Sequence, residues 1–305
     1  MTKVFIDGSA GTTGLRIFDR LSARSDVSLL TLPDNLRKDT EARREALNKA
    51  DIAFLCLPDA AAIEAVSLIE NNNTVVIDTS TAHRTNDGWV YGFAELIGYD
   101  KVKNAKRIAN PGCHASGYVA LIRPLVEKGI LKPDANLCCT SITGYSGGGK
   151  SMIADYENNK TELLTAPRQY ALAQQHKHLK EMAKISNLAA TPAFMPIVAD
   201  FYSGMEVSIP VFAKDIEASV EDVKKIYREY YNGPVVSFNE NADESGFLSA
   251  AAYSGKDGME ISVFGNDERI LLVARYDNLG KGASGAALQN MNIVIGADQC
   301  DGLVL

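Results

Sequence analysis

The sequence predicts an α/β protein in two parts: a doubly wound parallel-sheet unit, then an α+β unit with a mixed sheet. Three observations predict it. The first third alternates short apolar strands with amphipathic helices. A glycine-rich turn joins the first strand to the first helix. After Asn110 the strand-like runs lengthen and helices become sparser.

Taken in order, residues 3–7 (KVFID) form an apolar strand and 11–23 an amphipathic helix. Residues 27–32 are a second strand and 40–49 a helix. Residues 52–57 (IAFLCL) are a buried strand, 60–70 a helix and 74–78 (TVVID) a further strand. Strands this short, separated by helices, must run parallel with right-handed crossovers. In the second part, 136–143, 205–212, 259–264 and 269–276 are strands. Helices over 169–185 and 219–231 separate them, and 283–295 closes the chain as an apolar helix. No internal repeat, low-complexity tract or proline- and glycine-rich linker interrupts the 305 residues.

Hydrophobic residues make up 46% and charged residues 23%, enough to bury a full core. A net charge of −7 without a basic block argues against nucleic acid and anionic membranes as partners. No segment approaches the roughly 18 apolar residues of a spanning helix, and the N-terminus carries no signal peptide, so a cytoplasmic location is expected. Five scattered cysteines (56, 113, 138, 139 and 300) are an odd number with no CxxC pair, which argues for a reducing compartment. The four histidines are not spaced with them as a zinc site, so no metal is expected.

The turn after the first strand reads Gly8-Ser9-Ala10-Gly11-Thr12-Thr13-Gly14, a GxxGxxG spacing. Missing side chains let backbone N–H groups approach a pyrophosphate at a helix N-terminus. One such turn is a weak signal, but three βα units following it make this a Rossmann-type dinucleotide site. NAD sites place an acid at the end of the second strand to hold the ribose. Here that strand ends Leu30-Thr31-Leu32-Pro33, with Asp34 displaced into the loop and Arg37 and Lys38 behind it. Basic residues there suit the 2′-phosphate of NADP, although a solvated charged loop would look the same.

Asn110-Pro111-Gly112-Cys113-His114 is the most informative stretch. Pro-Gly makes a sharp turn, and Val119, Leu121, Ile122, Leu125 and Val126 continue it as an apolar helical stripe. Cys113 therefore starts a helix, where the dipole and free N–H groups favour a thiolate and can hold a developing oxyanion. That placement marks Cys113 as a nucleophile. The other four cysteines read as small buried hydrophobes.

Gly144, Gly149, Lys150 and Ser151 match the GxxxxGK[ST] spacing. They lie mid-chain, after a different nucleotide turn and without a later strand ending in an acid, so a flexible loop lining the active site is the better expectation. Residues 174–178 (QQHKH) offer the bases. On a helix over 169–185, Leu172, His176, Leu179 and Ala183 share one face and His178 points away. That ranks His176 first as partner of Cys113.

Together these residues resemble the short-form N-acetyl-γ-glutamyl-phosphate reductases of arginine biosynthesis, over nearly the whole chain. The matching stretches are GSAGTTG (8–14), LPD (57–59), DTSTAHR (78–84), YGFAEL (91–96), IANPGCH (108–114), GYSGGGK (144–150), QQHKH (174–178) and NLGKGASGAALQNMN (278–292). His114 stands where long-form enzymes have Tyr. The resemblance implies a semialdehyde-dehydrogenase-like fold, with residues 1–112 and 283–305 binding the dinucleotide and 113–282 serving catalysis and dimerisation. It implies an NADPH-dependent oxidoreductase that turns an acyl phosphate into an aldehyde through a Cys113 thioester, with His176 as base. It implies Arg84, His178, Glu181, Tyr145 and Ser146 for the substrate. For NADP it implies Gly8, Ala10, Gly11, Thr12, Thr13, Gly14, Ser80, Ser284 and Gly285, beside the Arg37 and Lys38 read from the loop. Family members are homo-oligomers, so a homodimer or homotetramer is expected. Two alternatives stand beside it: an aspartate-semialdehyde dehydrogenase type of enzyme, whose cysteine and histidine motifs differ, and a non-catalytic NADP-binding redox sensor using Cys113 as a switch.

Overall fold

The computed structural model describes residues 1–305, which divide into two compact units. One comprises Met1–Gly112 with Ala283–Leu303, the other Cys113–Gly282 with Val304–Leu305. The last two residues join the second unit because Asp257 N–H donates to Val304 O (2.6 Å) and Val304 N–H to Asp257 Oδ2 (2.9 Å).

The first unit holds six parallel strands: β1 (Thr2–Asp7), β2 (Val27–Leu30), β3 (Ile52–Leu55), β4 (Val75–Asp78), β5 (Val90–Tyr91) and β6 (Arg107–Ala109). They lie in the order β2-β1-β3-β4-β6-β5. The helices are α1 (Thr12–Ser22), α2 (Thr40–Lys49), α3 (Asp59–Ser67), α4 (Ala94–Ile97) and α5 (Tyr99–Lys103). The period-2 alternation of the strands decides which helix covers which face. Val4, Ile6, Ile52 and Phe54 pack with Ile17 and Leu21 of α1 and with Leu288 and Met291 of the C-terminal helix, Gly285–Ile295. Phe5, Ala53 and Leu55 pack on the other face with Leu47 of α2 and Ala62 and Ala65 of α3. β2 stops at Leu30 and β3 at Leu55, each two residues short of the sequence expectation. The chain turns off where Leu32 precedes Pro33 and Leu57 precedes Pro58, since X-Pro steps start turns.

The second unit is a seven-stranded mixed sheet of β7 (Cys138–Gly144), β8 (Arg168–Gln169), β9 (Ala193–Ala199), β10 (Met205–Phe212), β11 (Val236–Phe238), β12 (Met259–Gly265) and β13 (Arg269–Tyr276). The order is β11-β12-β13-β10-β7-β9-β8, with β10, β12 and β13 antiparallel and β7–β9 parallel. Its helices are α6 (Cys113–Glu127), α7 (Gly149–Asn158), α8 (Leu179–Ile185), α9 (Ala213–Ile216) and α10 (Val220–Tyr230). α6 is buried along most of its length. It lies close to the sheet because Gly117 carries no side chain: a Cβ there would come within 2.7 Å of Val207 Cγ2 and 2.8 Å of Tyr276 Oη.

Three expectations are corrected here. Residues 170–178 are not helical; the helix begins at Leu179. Ala171 (φ 52°) and Gln174 (φ 55°) take the left-handed conformation, which no α-helix contains. Leu172, assigned to an inward face, is 75% exposed, and His178, assigned outward, is 4% exposed. The glycine-rich stretch after β7 is a 3₁₀ turn over Tyr145–Gly148 that runs into α7 rather than an open loop. Cys138 is exposed, and Cys56 and Cys300 are only partly covered, so of the four cysteines expected inside only Cys139 is fully buried. No helix is long and apolar enough to cross a membrane.

Candidate functional site

In the first unit every residue expected to meet a dinucleotide follows the C-terminal end of a parallel strand or opens the C-terminal helix. The chain runs from β1 outward to β2, then returns past β1 to β3, so β1 ends at the switch point where open α/β sheets bind ligands. Gly8 leaves β1 with φ +87°, and a Cβ on it would lie 2.3 Å from Cys56 O. A Cβ on Gly14 would lie 2.4 Å from Gly8 O. Gly8 and Gly14 are therefore bare backbone by necessity. Gly11 caps α1 without any side-chain hydrogen bond, and no acid stands in its first turn. The N–H groups at that terminus face no competing side chain, which suits a pyrophosphate.

A cavity of about 450 Å³ lies beside this turn. Gly8, Ser9 and Ala10 line it, with Phe18 and Leu29–Leu32 as apolar wall and Arg37, Lys38 and Arg43 as its cations. Apolar walls suit an adenine and the cations suit a phosphate, so the residues present fit NADP. Arg37 pairs with Asp34 at 2.8 Å on the surface. Arg43 was missed by sequence reasoning. It sits on α2 at the spacing of Ala46, Leu47 and Ala50, and an arginine on an apolar face signals a buried partner. That partner is Asp7, 3.1 Å from Nε, with Glu64 3.1 Å from Nη1. Burial raises the Asp7 carboxyl above the usual range, partly opposed by Arg43.

Ser80 is bound within its own turn, donating from Oγ to Asp78 Oδ2 at 2.7 Å. His83 Nδ1 lies 2.6 Å from the same oxygen, and its ring stacks on Trp89. Arg84 is buried and donates from Nε to Asn110 O and from Nη2 to Thr79 O, each at 2.9 Å. Asn110 in turn donates from Nδ2 to Ala283 O at 2.9 Å, and Asn290 Nδ2 donates to Asn110 Oδ1 at 3.3 Å. Thr79, Arg84, Asn110 and Ala283, far apart in sequence, thus meet beyond the C-terminal ends of β4 and β6. Ser284 and Gly285 stand there, buried, where the C-terminal helix begins.

In the second unit Cys113 opens α6. Tyr276 Oη donates to its carbonyl at 2.5 Å and accepts from Gly117 N–H at 3.0 Å, so one hydroxyl clamps the first turn. Gly282 comes so close that a Cβ would lie 3.1 Å from Cys113 Cβ. His114 is buried with both ring nitrogens engaged, Nδ1 2.7 Å from Ser141 Oγ and Nε2 2.6 Å from Tyr170 Oη. Its ring centroid is 5.6 Å from that of His176 and 5.7 Å from that of His178, and those two lie 4.7 Å apart. The structure therefore gathers His114, His176 and His178 at the start of the cysteine helix. The segment carrying the latter two is strapped to β9. Gln174 Nε2 donates to Phe194 O and Phe194 N–H to Gln174 Oε1, while Tyr170 N–H donates to Pro196 O. Glu181 is buried in the first turn of α8.

Burial pushes the His114 imidazole down to about 3, with a lesser push from His176. Burial, then Lys177, pushes His176 down to about 4. Both are neutral at pH 7. Burial and the neighbouring Cys113 raise the Tyr170 phenol. His114 and Tyr170 went unrecognised in the sequence; a histidine directly after the nucleophile was the signal. Tyr145 stacks on Tyr156 (4.6 Å, 11°), and Ser146 Oγ accepts from Asn278 Nδ2 at 3.0 Å, so both are tied into packing.

Residues 30–105 match the family described as semialdehyde dehydrogenase, NAD binding domain, and residues 113–278 match semialdehyde dehydrogenase, dimerisation domain. The N-acetyl-gamma-glutamyl-phosphate reductase of Trichormus variabilis is 43% identical, with 99% of each chain aligned. That of Brucella ovis is 44% identical over 96% of this chain and 99% of its own. Among solved structures, the aspartate semialdehyde dehydrogenase of Francisella tularensis superposes with a TM-score of 0.72, at 16% identity, over 97% of this chain and 100% of that one. The aspartate semialdehyde dehydrogenase II of Vibrio cholerae gives 0.71 at 17% identity over 97% and 98%. At these identities the structural likeness concerns the fold alone.

Proposed function

The chain belongs to the semialdehyde dehydrogenase family, among its N-acetyl-gamma-glutamyl-phosphate reductases, and we propose that it reduces N-acetyl-glutamyl 5-phosphate to N-acetyl-glutamate 5-semialdehyde, releasing phosphate, through a thioester on Cys113. The single observation that carries the chemistry is Cys113 at the head of α6, followed by His114, whose ring meets those of His176 and His178. The reaction serves arginine biosynthesis in the cytoplasm. Through the second unit, the part that matches a dimerisation domain, the chain forms a homodimer or homotetramer.

A histidine of the 176–178 pair takes the thiol proton as sulfur attacks the acyl phosphate, and the C–O bond to phosphate breaks. The first-turn N–H groups of α6 hold the developing oxyanion. Arg84 supplies positive charge for the substrate's phosphate while its fork steadies Asn110. Glu181, with Tyr145, Ser146 and the other histidine of that pair, shapes the pocket for the rest of the acyl chain. When bound, reduced NADP supplies the hydride that converts the thioester to the thiohemiacetal level. Sulfur then leaves, regains its proton from the histidine and frees the aldehyde. Thiolate is both a strong nucleophile and a good leaving group, which is why one cysteine serves both steps. Gly8, Ala10, Gly11, Thr12, Thr13 and Gly14 would hold the pyrophosphate, Arg37 and Lys38 the 2′-phosphate, and Ser80, Ser284 and Gly285 the nicotinamide side.

NADPH oxidation assayed with N-acetyl-glutamyl phosphate against aspartyl phosphate tests the reading. Turnover of the acetylated substrate at least tenfold faster supports it. Faster use of aspartyl phosphate means an aspartate-semialdehyde dehydrogenase, and cofactor binding without consumption means a redox sensor.

NADPH is expected to be preferred over NADH, because Arg37 and Lys38 line the cavity and no acid stands at Leu32. Replacing both cations by alanine should weaken NADPH roughly tenfold or more, about 1.4 kcal/mol, and leave NADH nearly unchanged. Equal losses for both cofactors would show that these residues do not read the 2′-phosphate.

A further inference from the structure

We propose that His176 works as a neutral hydrogen-bond donor to the acyl oxygen through Nε2, and that the base for Cys113 is His178. The inference rests on the thioester reading above. It reverses the order of the two histidines that a helical segment would have given.

The carrying observation is the backbone N–H of His178, which donates to Nδ1 of His176 at 3.2 Å. An accepting Nδ1 has a lone pair and no hydrogen, so the one proton of the neutral ring sits on Nε2. Moving it to Nδ1 would set two hydrogens against each other. The geometry is held on both sides. Leu179 N–H donates to His176 O (3.1 Å) and Met182 N–H to His178 O (2.9 Å), which turns the segment into α8. The Gln174 clasp on Phe194 holds it two residues upstream. A ring presenting Nε2–H can stabilise an oxyanion, but it has no lone pair at Nε2 with which to take a thiol proton. Burial and Lys177 keep it neutral through the working pH range. A neutral imidazole is a useful electrophile at a carbonyl oxygen because it donates without giving up its proton.

The remaining histidines narrow the choice of base. His114 has both nitrogens engaged, by Ser141 and Tyr170. His83 belongs to the other unit, bound to Asp78. His178 is buried in the cluster, its ring next to those of His114 and His176. The titratable groups near the pair are Lys177 between them, His114 of α6, whose ring meets both, and Tyr170 just after β8, whose ring meets His176. Cys113 acts on Tyr170, and Glu181 is buried in the first turn of α8. The step balances. The Cys113 S–H proton passes to His178, sulfur bonds to the acyl carbon, and phosphate leaves with the electrons of the C–O bond. After reduction, the oxygen held by Nε2–H of His176 re-forms the carbonyl, and sulfur leaves and takes back the proton from His178.

The test uses the full-length protein labelled with ¹⁵N-histidine, its four histidines assigned by single substitution. Long-range ¹⁵N–¹H spectra should show His176 as the Nε2–H tautomer from pH 5.5 to 9. His176→Ala should lower kcat roughly 10²–10³-fold, the range for losing one oxyanion donor. His176→Gln, which keeps an N–H, should recover at least tenfold of that and keep the acidic limb of the kcat/KM profile. His178→Gln should lose that limb and move the iodoacetamide alkylation of Cys113 to higher pH, which His176→Gln should not do. A circular dichroism spectrum and thermal midpoint close to wild type verify that each variant folds. An Nδ1–H tautomer at His176, or an alkylation shift in the His176 variant alone, overturns the assignment. Turnover surviving in Cys113→Ala would instead overturn the thioester reading beneath it.

Discussion

Cys113→Ala abolishes turnover and leaves NADP⁺ binding intact: that is the largest expected effect. Removing a nucleophile that forms the covalent intermediate costs many orders of magnitude, so residual activity should fall below roughly one part in a thousand. The fold should survive, because what anchors Cys113 is its backbone. Tyr276 bonds its carbonyl, and the Cβ that packs against Gly282 is retained in alanine. The cofactor turn and cavity use residues 5–61 and contain no part of α6. NADP⁺ titration by fluorescence, with steady-state NADPH oxidation, separates the two properties. Activity above a few per cent of wild type would end the thioester mechanism. Loss of both properties together would mean that the substitution had disturbed the fold.

Gly8→Ala should be the most damaging single change in the cofactor site. Its φ of +87° costs a non-glycine residue about 1–3 kcal/mol. The new Cβ would also sit 2.3 Å from Cys56 O, a backbone atom held by the Cys56 N–H bond to Asp7 O at 2.8 Å. Either β3 or the turn must move, and the turn's N–H groups move with it. NADP⁺ affinity should fall by roughly a hundredfold, about 2.7 kcal/mol, and the thermal midpoint should drop as well. Gly129→Ala is the control. It too has positive φ (+73°), but nothing lies within 4 Å of its added Cβ, so only that conformational cost of about 1–3 kcal/mol applies, without the clash. If Gly8→Ala bound NADP⁺ within twofold of wild type, the turn would not be the pyrophosphate site.

The parallel half of the molecule was legible because its signals are local. Alternation in KVFID and IAFLCL sends Val4 and Ile6 to one face and Phe5 to the other, and a helix period over 12–22 and 40–49 supplies the covers. β9 escaped notice because Pro196 interrupts AFMPIVA. Its missing N–H is tolerated, however, and its carbonyl accepts from Tyr170 N–H. β5, β6 and β11 are two or three residues long and have no period to read.

The sequence by itself determined the setting of Cys113: Pro111-Gly112 ahead of an apolar stripe makes it the start of a helix, whatever lies around it. It also determined the glycine turn, because its glycines let the backbone leave β1 sharply for α1. The tertiary structure alone decided the histidines. Residues 169–185 carry a plausible helical stripe, yet 170–178 are pulled out of the helix by bonds that reach far along the chain: Gln174 to Phe194, Tyr170 to Pro196 and Tyr170 to His114. A helix period depends on neighbours three and four residues away. The tautomer of His176 depends on where its segment turns, which is set by partners 20 and 56 residues distant, and no local pattern carries that information.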